Sequence, residues 1–285
     1  MGISNEPIYS ANSIVEFRTN QIKPIKSIFD AIKNNLPDTT IFFSPDSMKI
    51  LQLDGTSNFL VNVRLYGDKF EHYYCQAEPE TGSDTVTLHL SAIQLNNIFK
   101  NVKNEDNMLE FVYERGSENI KLIFSSDKKS EIRTYVIRTQ NGEDQTYGEI
   151  QGIEEFPYCL SLPCSDLQQI CRDFKNSQCE KITISHDGQK LIFTGQGPQI
   201  STSIQRNGQS TDKIPVDADQ TAYSDVFKFQ LLNEFSKCQG GGESKIVKIH
   251  LSQGEPIILH FEVGTLGEMD VAIAAHMPVD AEEII

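Results

Sequence analysis

Residues 139–157 divide the sequence into two flanks that repeat one order of elements. The segment holds five acidic residues, no lysine or arginine and a closing proline. Neither the strand period nor the helix period runs through it, so we predict an extended connector. Each flank reads as strand, helix, several strands, strand, helix and three strands. A repeated order of this kind predicts an internal duplication with two similar domains.

The elements of each flank follow from hydrophobic periodicity. In the first helix, Ile22, Ile25, Ile28, Phe29 and Ile32 recur at helical spacing, and the strands are bounded by turn residues. Helices are predicted at 21–35, 91–103, 164–176 and 230–238. Strands are predicted at 13–18, 40–43, 48–53, 59–66, 85–90, 108–114, 120–125, 132–138, 158–162, 181–185, 190–194, 199–205, 223–229, 246–251, 256–262 and 269–274. The predicted fold class is α+β, with two helices packed on antiparallel sheets in each domain.

The length of 285 residues suits two domains of about 140 residues, each large enough for its own core. No apolar run approaches the roughly 18 residues of a membrane span, and residues 1–12 lack the pattern of a signal peptide. We therefore expect a soluble, intracellular protein with no membrane partner. The six cysteines form no CxxC pair and are expected to be reduced thiols.

Motifs for catalysis, cofactors and metals are absent from the sequence. There is no GxxxxGK[ST] loop, and the glycines at 195–197 and 240–242 are better explained as turn residues than as phosphate loops. The six histidines form no HxxxH or HxH group and accompany no GxSxG motif. We predict that the protein is not an enzyme and has no catalytic residue, metal or cofactor.

Charge is distributed unevenly between the helices and the rest of the chain. The net charge is −15, yet the four predicted helices hold eight basic and four acidic residues, which gives them +4 and leaves −19 elsewhere. For any one helix, a solvated polar face is the ordinary explanation. Four helices that are collectively positive on an acidic chain favour a surface for phosphates.

Several segments resemble the sliding clamps of the proliferating cell nuclear antigen type. They are LQQICRDF at 167–174, KNEDNM at 103–108, DAIK at 30–33, LLNEFSKC at 231–238 and AIAAHM at 272–277 followed by acidic residues. The resemblance covers residues 13–283. It implies an N-terminal clamp domain at 13–138, the connector at 139–157, a C-terminal clamp domain at 158–277 and an acidic tail at 278–285.

The resemblance implies a ring of three subunits joined head to tail, with helices lining the hole. Helices about 9 Å apart on a circle of twelve leave a hole of roughly 24 Å, wide enough for duplex DNA. The implied function is a DNA polymerase processivity factor. Its implied partners are double-stranded DNA without sequence preference, a DNA polymerase, a clamp loader, PIP-box-like peptides of replication and repair proteins, and itself as a homotrimer.

The alternative is a clamp-like scaffold, or a subunit of a mixed ring, that binds proteins without being the main processivity factor. Divergence from the familiar cellular clamps favours a large DNA virus as the source. The expected location is the nucleus, or the viral replication compartment if the source is a virus.

Three sets of site residues follow from the helix charges, the strand ends and the resemblance. The predicted DNA-binding residues are Lys23, Lys26, Lys33, Lys100, Lys103, Arg172, Lys175 and Lys237. The predicted subunit interface is Ile132, Thr134 and Val136 with Ile200, Thr202 and Ile204. The predicted partner-binding residues are Leu53, Leu60, Ile150, Ile153, Pro256, Ala274, Ala275 and Met277. Gln169 and Asn97 depart from the basic residues that are common at these positions in clamps.

Overall fold

The structure is a computed structural model. It describes residues 10–76, 84–103, 106–126, 128, 130–142, 147–186, 190–207, 209–210, 223–238 and 245–276. Met277 and the predicted acidic tail lie outside the described residues. In the described ranges, no helix is long and apolar enough to cross a membrane.

The first half follows the predicted order, with one additional strand. Its elements are β1 (Ser13–Thr19), α1 (Ile22–Ile32), β2 (Asp38–Phe43), β3 (Ser47–Leu53), β4 (Phe59–Tyr66), β5 (His72–Cys75), β6 (Val86–Ser91), α2 (Ala92–Lys100), β7 (Met108–Glu114), β8 (Asn119–Ser126) and β9 (Glu131–Arg138). The strand β5 was expected to be part of a loop. It is only four residues long, and its residues pair with β1 along their whole length.

The second half repeats this order. Its elements are β10 (Tyr158–Pro163), α3 (Cys164–Asn176), β11 (Lys181–His186), β12 (Lys190–Gln196), β13 (Ser201–Asn207), β14 (Gln209–Ser210), β15 (Tyr223–Lys228), α4 (Phe229–Phe235), β16 (Ile246–Leu251), β17 (Ile257–Val263) and β18 (Gly267–Ile273). The α+β fold class with four helices on antiparallel sheets is therefore confirmed.

Three helices end earlier than predicted, and this moves three of the predicted DNA-binding residues out of helices. The helix α1 ends at Ile32, α2 at Lys100 and α4 at Phe235. Lys33 is therefore the C-cap of α1, while Lys103 and Lys237 lie beyond α2 and α4. The prediction extended these helices because apolar residues such as Val102 keep helical spacing; Val102 still packs on the core from the turn after α2.

The strands form three antiparallel sheets. One has the order β5-β1-β7-β8-β9, one β13-β12-β11-β15, and the largest β14-β10-β16-β17-β18-β4-β3-β2-β6. The largest sheet joins the two halves, because β18 pairs with β4 from Gly267 opposite Leu65 to Ile273 opposite Phe59. The two halves thus share one continuous sheet.

The helices cover the inner faces of these sheets. The rings of Phe29 in α1 and Phe99 in α2 stack with centroids 5.6 Å apart, and Phe99 in turn meets the β8 residue Phe124 edge-on at 5.8 Å. Across the junction between the halves, Phe59 of β4 contacts Phe235 of α4 with ring centroids 5.1 Å apart. The buried apolar residues of both halves form one cluster. The outer faces of the sheets and the solvent faces of the helices are left for binding.

Candidate nucleic-acid and partner interfaces

The helices present the predicted basic residues unevenly. Lys23, Lys100, Arg172 and Lys175 are exposed on the helices, and Lys26 is half-exposed. The amphipathic pattern places them there, because the opposite face of each helix is buried against the sheets. These residues share the solvent face of the helix layer.

The other three predicted DNA-binding residues each form an ion pair within the chain. Lys33 pairs with Asp30, Nζ of Lys103 lies 3.1 Å from Oε1 of Glu131, and Nζ of Lys237 lies 2.8 Å from Oε2 of Glu234. Their charge is therefore partly neutralised locally.

The helix charge is smaller than the sequence predicted. Within their observed bounds, the four helices contain five basic and four acidic residues, a net charge of +1 rather than +4. The difference arises because Lys33, Lys103 and Lys237 lie outside the helices. The helix layer is nearly neutral, although it lies on an acidic chain.

Two of the predicted interface strands lie at sheet edges. The strand β9 ends the five-stranded sheet, and β13 ends the four-stranded sheet. An edge strand presents unpaired backbone N–H and C=O groups on one side and is a template for pairing with another chain. These two edges lie in different halves, which suits head-to-tail pairing between copies.

The six predicted interface residues point to two different faces of these sheets. On β9, Ile132, Thr134 and Val136 are exposed, with 72% exposure for Ile132 and 63% for Val136. On β13, Ile204 packs against the core, and Oγ1 of Thr202 lies 2.6 Å from Oγ of Ser177 after α3. Ile200 precedes β13 and is 55% exposed.

Tyr135 is the β9 residue on the same inner face as Ile204. Its ring meets Phe124 of the core edge-on, with centroids 5.8 Å apart. Side chains on one face of a sheet stay on that face across a strand pair. In a β9 to β13 pairing, Tyr135 and Ile204 would therefore meet beneath the helices, while Ile132 and Val136 would stay on the outside. The sequence prediction did not include Tyr135, because it took the alternate positions Ile132, Thr134 and Val136 of the same strand.

The connector is attached to the outer face of the nine-stranded sheet at several points. The backbone N–H of Gln140 donates to the His89 carbonyl at 2.8 Å, and Lys49 forms an ion pair with Glu149. A Cβ at Gly142 would lie 2.5 Å from Nδ1 of His89, so the backbone there packs directly on the imidazole. At the far end, the Phe156 ring approaches His250 edge-on, with centroids 6.5 Å apart.

Two residues at these attachment points, Glu149 and His250, have pKa values that their surroundings shift. The hydrogen bond and charge of Lys49 hold the pKa of Glu149 below its usual range. Burial, together with the nearby His260, lowers the pKa of His250, which keeps this imidazole neutral near pH 7.

Two cavities lie between the first part of the connector and the sheet. Their volumes are about 450 and 440 Å³, and Tyr147 lines both, over Leu51 of β3. The sequence prediction did not include Tyr147. The available signal was a large aromatic residue in an acidic, glycine-containing segment.

Five of the predicted partner-binding residues converge at one end of the nine-stranded sheet. Leu53 of β3 lies opposite Leu60 of β4, and Leu60 lies opposite Ala272 of β18. Ile257 pairs with Ile273, so Pro256 and Ala274 lie one position beyond this pair. Ala275 follows and packs against the core.

The connector residues Ile150 and Ile153 are both half-buried. Between them, Gly152 has a positive φ of 68°, a conformation that favours glycine, and it precedes a short 3-10 helix at Ile153–Glu155. A sharp bend at this point explains why no regular period runs through the segment.

The cysteines and the acidic residues give no sign of a reactive centre in the described part of the chain. All six cysteines are free thiols, and burial raises the pKa of Cys171 to about 11 and that of Cys75 to about 12. No group of three or more His, Cys, Asp or Glu that could hold a metal occurs among the described residues.

Comparison with known families matches both halves. The model described as "Proliferating cell nuclear antigen, N-terminal domain" matches residues 14–144, and that described as "Proliferating cell nuclear antigen, C-terminal domain" matches residues 152–276. The chain belongs to the proliferating cell nuclear antigen family. The resemblance inferred from LQQICRDF and the other segments is thereby confirmed.

Relatives within the proliferating cell nuclear antigen family come from a virus and from eukaryotes. "Probable DNA polymerase sliding clamp 1" of Paramecium bursaria Chlorella virus 1 is 27% identical over 270 residues, which cover 92% of this chain and 97% of the viral protein. "Proliferating cell nuclear antigen" of Dictyostelium discoideum is 24% identical over 264 residues, covering 91% and 98%. "Proliferating cell nuclear antigen 2" of Drosophila melanogaster is 25% identical over 261 residues, covering 92% and 97%.

A solved structure shows the same fold. The crystal structure of proliferating cellular nuclear antigen from Entamoeba histolytica aligns with a TM-score of 0.77 at 17% sequence identity. The alignment covers 93% of this chain and 100% of that chain.

Proposed function

We propose that the protein is a DNA sliding clamp, which encircles duplex DNA as a homotrimeric ring and tethers a DNA polymerase to its template. The observation that supports this most is that β9 of one half and β13 of the other both lie at sheet edges. Head-to-tail pairing of such edges closes into a ring when the rotation between copies allows it. The family membership and the printed name of the chlorovirus relative support the same role.

The proposed ring places the helix layer around DNA and the nine-stranded sheet on the outside. Lys23, Lys26, Lys100, Arg172 and Lys175 then face the phosphates without reading bases. The proposed domain division keeps residues 13–138 and 158–277 as clamp domains, 139–157 as the connector and 278–285 as a tail. This role is non-catalytic, and its site of action is the nucleus or a viral replication compartment.

The test is whether DNA is held topologically. A linear duplex is attached to beads at one end, the protein is added, the free end is blocked with bound streptavidin, and the beads are washed at high salt. A ring should stay on the DNA and leave when a restriction enzyme cuts it. When the end is blocked before the protein is added, retention should be lost. Equal retention in the two orders would contradict encirclement.

We further propose that the end of the sheet near Leu53, Leu60, Pro256 and Ala274 binds partner peptides of the PIP-box type, with Ile150 and Ile153 on the connector side. These positions are apolar, and all are half-exposed except Ala274, which is exposed; this supports the proposal. A polymerase, a clamp loader and repair proteins are the proposed owners of such peptides.

The second candidate is a subunit of a mixed ring, or a scaffold that binds proteins. The near-neutral helix layer favours it, because a scaffold needs no attraction to phosphates. Gel filtration with light scattering on the lone chain separates the two candidates: a stable trimer supports the homotrimeric clamp, and a monomer supports the mixed ring.

A further inference from the structure

The most exposed side chains of the four helices are mostly uncharged. They comprise five amides, four bases, one serine and one isoleucine, with no acid among them. The amides are Gln94, Asn97, Gln169, Asn176 and Gln230. Side-chain amides therefore outnumber charged groups on the surface that the proposed ring turns toward DNA.

The amides occupy central positions on α2 and α3. On α2, Ile93 and Asn97 lie one turn apart, and Ile93 is 46% exposed. Lys100 is the only exposed base of this helix. On α3, Ser165, Gln169, Arg172 and Asn176 follow each other at intervals of four, three and four residues and form one stripe. Arg172 is the only base in that stripe.

The acids of the helix layer reduce the remaining charge further. Asp166 and Asp173 of α3 are half-exposed beside the stripe, and Nε2 of Gln169 donates to Oδ1 of Asp173 at 3.0 Å. Lys33 and Lys237 are already paired with Asp30 and Glu234. Within the helix bounds, five bases thus stand against four acids, a net charge of +1.

We propose that, beside the exposed bases, the side-chain amides of α2 and α3 contact the DNA backbone on this surface, with Asn97 and Gln169 as two of these contacts. The inference rests on the proposed encirclement. An amide donates to a phosphate oxygen without adding positive charge, so it displaces no condensed cation from the DNA. Such contacts are sequence-independent and exchange readily with water. These contacts therefore add affinity without adding to the salt dependence that the bases produce.

The experiment measures binding of a fluorescently labelled 30-bp duplex with open ends, by anisotropy, at KCl concentrations from low to physiological. Three proteins are compared: the wild type, Asn97→Ala with Gln169→Ala, and Asn97→Lys with Gln169→Lys. The alanine pair should weaken binding about two- to tenfold at every salt concentration, with the salt slope unchanged. The lysine pair should strengthen binding at low salt and steepen the slope of log K against log [KCl] by about 0.9 for each new phosphate contact.

The matched control is Gln151→Lys, an exposed glutamine of the connector that lies away from the helices. It adds one positive charge per chain, half of what the lysine pair adds, and should leave the slope unchanged. Light scattering checks that every variant keeps the oligomeric state of the wild type.

Two outcomes overturn the inference: an alanine pair that binds like the wild type at all salt concentrations, or a lysine pair whose slope equals that of the wild type. The bead assay separates this from failure of the proposed function. If the wild type is retained only when the end is blocked after the protein has been added, and the alanine pair binds the open duplex as the wild type does, the protein encircles DNA without using these amides. A protein that is never retained fails as a clamp.

Discussion

Asn96 lies on the buried face of α2 and is 1% exposed. Neither its amide nitrogen nor its carbonyl oxygen has a hydrogen-bond partner among the described residues. A buried polar group without a partner costs about 1–3 kcal/mol. This one side chain therefore works against the folding of an otherwise apolar helix face.

We expect Asn96→Leu to stabilise the protein by about 1–2 kcal/mol, because leucine has a similar volume and leaves no polar atom unpaired. Thermal unfolding should show a melting temperature higher by about 2–8 °C. The matched control is Asn97→Leu at the exposed neighbouring position, where the change should stay within about 0.5 kcal/mol. A lower melting temperature for Asn96→Leu would show that Asn96 has a polar partner.

A single substitution at the connector residue Ile153 can test the proposed partner surface. We expect Ile153→Asp to weaken binding of a PIP-box-like peptide by at least about 2 kcal/mol, because it places a charge in an apolar contact. The melting temperature should hardly change. Calorimetry with the peptide and thermal unfolding measure the two quantities. Glu154→Ala, at the exposed position beside it, is the control and should bind normally. An equal loss of fold stability would give Ile153 a structural role.

At the scale of elements, the sequence predicts the order well and the ends poorly. The strand and helix periods found every helix and every strand of five or more residues among the described ones. The short strands β5 and β14 were not found, because two to four residues are too few to show a period. Apolar residues that pack on the core, such as Leu36 and Val102, follow α1 and α2 at helical spacing, so periodicity places these helix ends too late. For the same reason, the predicted helix charge exceeded the observed one.

The site was predictable where side chains follow a period and unpredictable where contacts join distant segments. The exposure of Lys23, Lys100, Arg172 and Lys175 followed from helical amphipathicity. The sequence did not predict that Val136 and Ile204 lie on opposite faces, because the face of each side chain depends on how its edge strand lies on its own sheet. The packing of Gly142 on His89 needs two segments that lie far apart in the sequence.

The turn between β3 and β4 gives a pH-dependent prediction. Burial opposes ionisation of Asp54, but hydrogen bonds from Thr56, Phe59 and Asn58 outweigh it and lower the pKa of this carboxyl group. The backbone N–H of Phe59 donates to its Oδ1 at 2.9 Å. Because the folded-state pKa is depressed, the stabilisation is present above the unfolded pKa and is lost as the pH falls through the folded one.

We therefore expect Asp54→Ala to lower the free energy of unfolding at pH 7, and the difference from the wild type to shrink below about pH 4. Urea unfolding at a series of pH values measures this difference. The control Asp68→Ala removes an exposed carboxylate that forms an ion pair with Lys69 and should have little effect at any pH. A difference that does not vary with pH would mean that the charge of Asp54 is unimportant to the turn.

At the scale of the whole molecule, the shared sheet makes each half depend on the other. The strand β4 has β3 on one side and β18 on the other, and its residues Val61, Val63 and Leu65 are fully buried. Without the second half, β4 becomes an exposed edge with an apolar face, which is a site for aggregation.

We expect a fragment of residues 1–142 to aggregate or associate when it is expressed alone, and to become soluble when residues 143–285 are expressed with it. Light scattering of the purified fragment measures its size, and co-purification measures the rescue. Circular dichroism should show that the full chain unfolds in one transition. A fragment that stays monomeric, with a melting temperature equal to that of the full chain, would show that the halves are independent.

The continuity of β4 and β18 also determines where the proposed ring can open. Two kinds of boundary alternate around the proposed ring. One is the β4 to β18 pairing inside a chain, and the other is the β9 to β13 pairing between chains. Inside the chain, seven residue pairs are reinforced by a covalent tether that is itself attached through Gln140, Gly142 and Glu149. Between chains there is no tether. A pulling force applied to the proposed ring would therefore separate subunits while each chain stays intact.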